Sequence, residues 1–222
     1  MKNFMFPFCF LLTAHAALGT HNYAGEITYA CDSLNPLKYY ITITTYTKEA
    51  SWQIEDCELV IGFGDNTFDT VPRSNGPAGN CAQPAKMGVP IGNDIKKNSY
   101  KTTHIYPGPG NYKLSVEVPS RSADIMNIPA SVNVPFYIES ELFISGFSGP
   151  CNNSVVLSFP PIDFACVMQT FITNPGAWDP DGDSLAYSLI PCKGQNGQPI
   201  PNYVYPNLVQ NCEYGTFSIE PH

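Results

Sequence analysis

Alternation of apolar and polar positions is the clearest pattern in this chain, and it is most regular in residues 104–118. From Tyr112 to Val118 every second side chain is apolar, and the positions between carry an amine, a hydroxyl and a carboxylate. This period of two predicts a strand with one buried face, entered from the Pro- and Gly-rich turn at 107–110. Because an apolar sheet face has to be covered, the pattern also predicts a second sheet packed against the first.

The same alternation occurs earlier in the chain. Residues 25–30 and 38–47 predict a hairpin, since Asn35-Pro36 gives a turn signal between them. Residues 57–64 predict a third strand that ends in a turn. Residues 72–99 are rich in Pro, Gly and Asn and show no period, so a long loop is expected there.

The C-terminal part of the chain is less regular. Residues 132–144 are long for a simple strand, and Pro135 predicts a bend or an edge position. A stretch of Gly, Ser and Pro at 145–150 predicts a domain boundary. The features predicted beyond it are strands at 167–173, 184–190 and 215–222 and an acidic loop at 179–183.

The composition favours an all-β fold. Only 14% of the residues are charged, 13% are aromatic, and the chain contains 21 Pro and 17 Gly. Aromatic and β-branched strands punctuated by Pro and Gly are typical of β-sandwiches. The predicted organisation is two β-sandwich modules in tandem, at 20–145 and 146–222, of which the second is incomplete.

The first 19 residues have the pattern of a secretory signal peptide. Lys2 supplies a positive charge, residues 4–12 form a short apolar run, and small residues up to Gly19 offer a cleavage site. The run is short for a membrane span, and no later stretch approaches the roughly 20 apolar residues that a span needs. The sequence therefore predicts a secreted or cell-surface protein with no membrane span.

The charge of the chain narrows the class of partner. The net charge is −8, and loss of Lys2 with residues 1–19 would make it −9. Such a chain is not expected to bind nucleic acid or an anionic membrane, since both need a basic patch that releases counterions. Cations, Ca²⁺ above all, are the partners that this charge favours.

Cysteines are the next signal. The chain has eight, and seven remain once Cys9 leaves with the signal peptide. In an exported chain they predict disulfides. Sequence does not fix the connectivity, but spacing favours three local bonds and leaves Cys31 over. The favoured pairs are Cys57–Cys81, Cys151–Cys166 and Cys192–Cys212.

Two motifs carry a resemblance to PKD-type immunoglobulin-like domains. Residues 104–118, with Gly110 and the alternation that follows it, resemble the last strands of that family. Residues 62–66 (GFGDN) resemble its FGDG turn, with Asn66 in place of the second Gly, and Asn tolerates a positive φ. The resemblance covers about residues 25–118 and implies an immunoglobulin-like sandwich.

A second resemblance runs over nearly the whole mature chain. The segments THNYAGEITY, RSNGPAGN, NIPASVNVPFYIE and NPGAWDPDGDSLAY look like the N-terminal region of large surface proteins of Bacteroidota. Those proteins are often described as gliding-motility-associated or type IX-secreted. The resemblance implies a secreted or cell-surface role in adhesion.

Asp179, Asp181 and Asp183 form the sharpest chemical signal. Three carboxylates at alternate positions around Gly182 can point oxygen ligands at one hard cation. The string DPDGDSLAY resembles the Ca²⁺-associated loop at the start of cadherin-like domains in bacterial surface proteins. Ser and Ile stand where an EF-hand needs Gly and Glu, so the loop is not an EF-hand. A solvated acidic turn is the alternative.

Four further residues are candidates for functional sites. Asp65 is expected to order its turn through hydrogen bonds to backbone N–H groups. His104 is expected to be a hydrogen-bonded structural residue, since no nucleophile lies at a recognisable spacing. Glu139 and Glu141 share a strand face, where exposed acids block edge-to-edge pairing. A carboxylate pair for glycoside hydrolysis is the less favoured alternative for them.

These patterns favour a non-catalytic adhesion or structural segment outside the cell, stiffened by Ca²⁺ and binding protein or glycan. The alternative is a carbohydrate-binding accessory module of a secreted hydrolase, in which Trp52 and Trp178 stack on sugar rings. Exposed indoles would favour that alternative, and buried indoles would count against it. An enzyme in its own right is a third hypothesis, which a convergent acid–base pocket would support.

Overall fold

A computed structural model describes residues 22–49, 56–75, 88–119, 121–146, 151–161 and 170–208. The predicted signal peptide, Trp52 and three of the cysteines (Cys81, Cys166 and Cys212) lie outside these residues. The strands are β1 (Asn22–Asp32), β2 (Asn35–Lys48), β3 (Glu58–Gly62), β4 (Phe68–Pro72), β5 (Val89–Gly92), β6 (Ile95–Ile105), β7 (Gly110–Val118), β8 (Phe136–Ile144), β9 (Val156–Leu157) and β10 (Ala177–Trp178).

The strands form two four-stranded antiparallel sheets and one separate pair. One sheet has the order β1-β2-β6-β5, the other has the order β4-β3-β7-β8, and β9 pairs with β10. Ile41 and Ile43 of the first sheet and Ile61 and Leu114 of the second belong to one buried cluster. The predicted all-β fold is confirmed, and the apolar face of each sheet is covered by the other.

Strand β7 is as the alternation predicts. Leu114, Val116 and Val118 are at most 1% exposed, whereas Lys113 and Glu117 point to solvent. β7 lies between β3 and β8, so its apolar side chains occupy the middle of the second sheet. Side chains at the centre of a sheet contribute most to the core, since neighbours on both sides exclude water.

The predicted hairpin at the N-terminus is confirmed. β1 and β2 pair antiparallel from Asn22 opposite Thr47 to Asp32 opposite Asn35. The Asp32 carboxylate closes the connection by accepting the backbone N–H groups of Leu34 at 2.9 Å and Asn35 at 3.2 Å. This is the Asx-type bonding that makes Asp and Asn frequent in turns.

The prediction of a long loop at 72–99 is wrong for the part that the structure describes. β5 and the first half of β6 lie there, and β6 pairs with β2 along its whole length. The sequence of β6 shows no alternation of apolar and polar residues, because polar residues fill buried positions. Lys96 is 2% exposed and Asn98 is fully buried. The Asn98 amide donates to the Thr47 hydroxyl at 2.9 Å, which satisfies one of its buried groups.

The predicted strand at 184–190 is also wrong. These residues form no strand, and Leu185, Tyr187 and Leu189 remain between 38% and 44% exposed. Alternation alone cannot make a strand without a neighbour to pair with. The bend predicted at Pro135 is present, because a 3₁₀ turn at Ser131–Asn133 precedes it and β8 begins directly after it. The division into modules near residue 145 stays a prediction.

The disulfide pairing differs from the local bonds that spacing favoured. Cys31 is bonded to Cys151, with 6.0 Å between their Cα atoms and 120 residues between them in sequence. The predicted bond between Cys151 and Cys166 is therefore wrong, and Cys31 is not left over. Cys57 is disulfide-bonded, whereas Cys192 carries a free thiol instead of the predicted bond to Cys212.

Gly64 provides a test of the turn that joins β3 to β4. Its φ is +86°, and a Cβ atom there would lie 2.4 Å from the Lys113 backbone nitrogen. We expect Gly64→Ala to lower the free energy of unfolding by at least about 2 kcal/mol, through backbone strain and this contact. Asn66, at φ +68°, is the matched control. Asn66→Gly should change stability by less than about 1 kcal/mol in the same urea titration, and equal effects would contradict the structure.

Candidate functional site

The turn at Asp65 and His104 is a structural site. One Asp65 oxygen accepts the Thr67 backbone N–H at 3.0 Å and the Thr67 hydroxyl at 2.5 Å. The other Asp65 oxygen lies 2.8 Å from His104 Nε2. The imidazole stacks on the Phe63 ring at 4.0 Å between centroids. The expected Asx-type bond and the hydrogen-bonded histidine are both present, and together they tie β6 to the turn of the other sheet.

The ionisation of Asp65 follows from these contacts. Burial favours the neutral carboxyl, but hydrogen bonds from Thr67 and His104 outweigh it and hold the pKa of Asp65 below its usual value of 3.8. A carboxylate with a lowered pKa contributes stability above its unfolded-state pKa. That contribution is lost as the pH falls through the folded-state pKa.

The most distinctive arrangement is the attachment of residues 151–154 to the free edge of β1. Next to the Cys31–Cys151 bond, the Asn153 side-chain oxygen accepts the Cys31 backbone N–H at 2.9 Å. The backbone N–H of Ser154 donates to the Tyr29 carbonyl at 3.0 Å. The Ser154 hydroxyl accepts the Tyr29 N–H at 2.9 Å. We call this set of contacts the seam.

The acidic loop completes the seam through one of its three aspartates. The two oxygens of Asp181 accept the backbone N–H of Asn153 at 2.6 Å and its side-chain amide at 2.8 Å. Asn153 therefore bridges β1 on one side and the acidic loop on the other. Charge-assisted hydrogen bonds to a carboxylate are stronger than neutral ones, so Asp181 holds Asn153 in place.

Asp179 and Asp183 play different parts in the loop. One oxygen of Asp179 accepts the backbone N–H groups of Asp181 at 2.8 Å and Asp183 at 3.3 Å. Gly182, at φ +84°, supplies the tight turn of the loop, and its backbone N–H donates to the Asp179 carbonyl at 3.2 Å. The Asp183 side chain makes no hydrogen bond within the described part of the chain.

The donor set of this loop does not form a calcium cage in this arrangement. Ca²⁺ takes six to eight oxygen ligands, whereas Asp179 and Asp181 direct oxygens to N–H groups of the protein. Among the residues that the structure describes, no three His, Cys, Asp or Glu residues are grouped so that they could hold a metal ion. Calcium binding at Asp179, Asp181 and Asp183 stays a prediction.

A second attachment lies farther along the C-terminal segment. The buried Arg121 guanidinium donates to the carbonyls of Pro135 at 3.1 Å and Lys193 at 2.9 Å. The Lys193 ammonium forms an ion pair with Glu139 of β8. The backbone N–H of Asn196 donates to the Glu117 carboxylate at 2.6 Å. Residues 193–196 are thus attached to the second sheet through contacts with β7 and β8.

A groove of 530 Å³ opens beside the seam. Residues 25–29 of β1, residues 139–141 of β8, residues 152–155 and residues of the acidic loop line it. Its volume is within the range of about 300–1,000 Å³ that is typical of ligand sites. Five carboxylates line the groove, from Glu26, Glu139, Glu141, Asp179 and Asp183.

These carboxylates are in different electrostatic environments. Burial raises the pKa of Glu26, and the nearby Lys97 opposes that shift. Burial acts the same way on Glu139, but Lys193, Tyr137 and Lys113 outweigh it and hold the pKa of Glu139 below its usual value. A general acid for glycoside hydrolysis needs a raised pKa. Glu139 is therefore suited to pairing with a cation and not to donating a proton.

Of the two tryptophans predicted to stack on sugar rings, the structure describes Trp178. Trp178 lies on β10 and is 52% exposed, whereas Trp52 lies outside the described residues. Exposure of one indole agrees with the carbohydrate-binding alternative. The carbohydrate-binding alternative stays a prediction.

Comparison with known proteins adds no assignment. No protein-family model, curated protein or solved structure matches the chain. The resemblances to PKD-type domains and to Bacteroidota surface proteins therefore stay predictions. Among the described residues, no helix is long and apolar enough to cross a membrane.

The sequence did not indicate that Asn153 and Ser154 bond to β1 and carry much of the seam. Both belong to the polar stretch Asn152-Asn153-Ser154 directly after Cys151. Side chains of Asn and Ser readily bond to nearby backbone groups. That stretch beside a cysteine is the available signal, but the residues of β1 that Asn153 and Ser154 contact lie 122 and 125 positions away in sequence.

Asp181 and Asp183 form a matched pair for testing the seam. Asp181→Ala should lower the free energy of unfolding by about 1–2 kcal/mol, because Asn153 loses two charge-assisted bonds. Asp183→Ala should change it by less than about 0.5 kcal/mol. In thermal melts, the decrease in melting temperature caused by Asp181→Ala should be the same in millimolar Ca²⁺ and in EGTA. A rise in the wild-type melting temperature with Ca²⁺, absent from Asp183→Ala, would instead support the calcium prediction.

Asp65 should make stability depend on pH. Asp65→Asn keeps the size of the side chain but removes its charge, and we expect a loss of about 1–3 kcal/mol at pH 6–7. Because the folded-state pKa is lowered, the difference from the wild type should shrink as the pH falls below the usual value of 3.8. Urea titrations from pH 7 to pH 2 measure this difference. A constant difference would contradict the pairing.

Proposed function

We propose that this chain is a non-catalytic segment of an extracellular or cell-surface protein, with a structural and adhesive role. The observation that carries the proposal is the Cys31–Cys151 disulfide together with the bonds of the seam around it. Disulfides persist in oxidising compartments such as the cell exterior. An exposed surface protein that projects a binding site also has to resist pulling forces.

The position of the disulfide suits a segment under tension. Cys31 lies at the end of β1 and Cys151 lies beyond β8, so strands β2 to β8 are inside the closed loop. A force applied to the two ends of the chain passes through β1, crosses the disulfide and continues at residue 151. Strands β2 to β8, which supply most of the buried core, lie outside this path and are protected from stretching, whereas β1 lies within it.

The contacts of the C-terminal segment support the same role. Lys193 and Asn196 are bonded to Glu139 and Glu117 on the second sheet, and Asn153 is bonded to β1 on the first. The segment after the disulfide is thus attached to both sheets. Contacts that span elements far apart in sequence limit independent motion of the two parts.

Force spectroscopy on the whole chain, held at its two ends, tests this proposal. The loop between the two cysteines spans 120 residues, and an extended chain covers up to about 3.4 Å per residue. Unfolding of the oxidised protein should therefore lack about 400 Å of extension that appears after reduction. Cys31→Ser/Cys151→Ser should release this length without reductant, except for the part that the remaining disulfide of Cys57 keeps closed, and should unfold at a lower force.

Cys192→Ser is the matched control, because it removes a thiol that is in no disulfide. It should leave both the extension and the force unchanged. Release of the full length from the oxidised wild-type chain would contradict the proposed force path. Equal unfolding forces for the wild type and the double variant would contradict a mechanical role.

A further inference from the structure

We propose that the groove beside the seam binds an extended, cationic segment of a partner protein, which adds to the free edge of β1 as a further strand. The inference rests on the proposed extracellular adhesive function and names the surface and the kind of partner for it. Strand addition to an exposed sheet edge is a general mode of peptide recognition. Three features of the groove support it.

The first feature is that strand edges form the walls of the groove. Residues 25–29 all line it, although the side chains of Ile27 and Tyr29 point into the core and those of Glu26 and Thr28 point the other way. A space that touches five consecutive residues of a strand must face the edge of its backbone. Residues 139–141 of β8 line the opposite side, where the Glu141 carbonyl already accepts the Tyr29 hydroxyl at 2.9 Å.

The second feature is that Ser154 already bonds to part of the β1 edge, in the way that a neighbouring strand would. Both backbone groups of Tyr29 bond to Ser154, so they point away from β2. Outward-facing backbone groups recur at every second residue of an edge strand. Those of Ile27 and Gly25 therefore point the same way, and no hydrogen bond within the described part of the chain reaches them.

The third feature is the charge of the walls. Glu139 is paired with Lys193 and Lys113, and Lys97 lies near Glu26. Glu141 and Asp183 have no cationic partner among the described residues, and Asp179 bonds only to backbone N–H groups. Three carboxylates thus remain uncompensated around an open strand edge.

These features together specify the occupant. Unsatisfied N–H and C=O groups along an edge are met best by another extended backbone. Carboxylates on both walls favour Lys or Arg side chains on that backbone and disfavour acidic ones. A small cation would satisfy the carboxylates but would leave the backbone groups of Ile27 and Gly25 unpaired.

The test is a fluorescence titration of the full chain with a blocked six-residue peptide that alternates lysine and valine. We expect saturable binding at low ionic strength that weakens at about 0.15 M salt, where charges are screened beyond about 8 Å. Hydrogen exchange at the backbone amide of Ile27 should slow when the peptide is bound. The same peptide with glutamate in place of lysine should not bind.

Two variants examine the carboxylates. Glu141→Gln/Asp183→Asn should weaken binding of the lysine peptide by about five- to tenfold. Glu58→Gln removes an exposed acid of β3 that does not line the groove, and it should leave the affinity unchanged. Circular dichroism checks that each variant remains folded. An equal loss in both would indicate attraction to the overall negative charge and would overturn the proposal.

Two further probes examine the backbone contacts. A lysine–valine peptide that is N-methylated along one edge keeps its charge but cannot donate backbone hydrogen bonds, and it should bind at least about tenfold more weakly. Spermine should not compete with the unmethylated peptide at equal charge concentration. Equal binding of the methylated peptide, full competition by spermine, or no saturable binding at all would each overturn strand addition. None of these outcomes changes the force measurement, so the two proposals fail separately.

Discussion

The Cys31–Cys151 bond is the constraint on which the arrangement of the C-terminal half depends. It brings the chain after β8 back to the end of β1, across 120 residues of sequence. In the chain-entropy model, closing a loop of that length stabilises the folded state by about 5 kcal/mol. That gain is comparable to the net stability of many small domains. Asn153, Ser154 and Asp181 reach their partners because the bond holds residue 151 beside β1.

The two packed sheets of the sandwich hold β1, which carries Cys31 of the disulfide, in a fixed position. The two sheets bury one apolar cluster, and the turn at Asp65 ties them together through His104. The sandwich leaves β1 and β8 as neighbouring free edges, since each is the last strand of its sheet. The seam covers one part of the β1 edge, whereas no hydrogen bond from the described residues reaches the outward backbone groups of Gly25 and Ile27. The groove therefore results from how the two sheets end and from where the disulfide places the following segment.

Much of the fold could be predicted from alternation, and the failures have physical causes. Where apolar residues fill the inward positions, as in β7, the period of two located the strand. In β6 the buried positions hold Lys96 and Asn98, so the strand carried no apolar period. Residues 184–190 have the period but no strand beside them within the described part of the chain. A strand depends on its neighbour as well as on its own sequence.

The site was less predictable than the fold. The acidic loop was located correctly, but the sequence could not indicate that Asp181 binds Asn153, because that contact depends on a tertiary arrangement. The same holds for the disulfide. Spacing favours bonds between cysteines close in sequence, whereas bonding requires Cα atoms within about 7 Å in space. Connectivity follows from the fold and cannot be read from the intervals between cysteines.

The central claim is that Cys31 and Cys151 are joined, and peptide mapping by mass spectrometry under non-reducing conditions tests it most directly. The oxidised protein is digested with free thiols blocked, and linked peptides are identified by their separation on reduction. The account predicts a linked pair that contains Cys31 and Cys151, with Cys192 recovered as a blocked thiol. A linked pair that joins Cys151 to Cys166, with Cys31 recovered as a blocked thiol, would contradict the account.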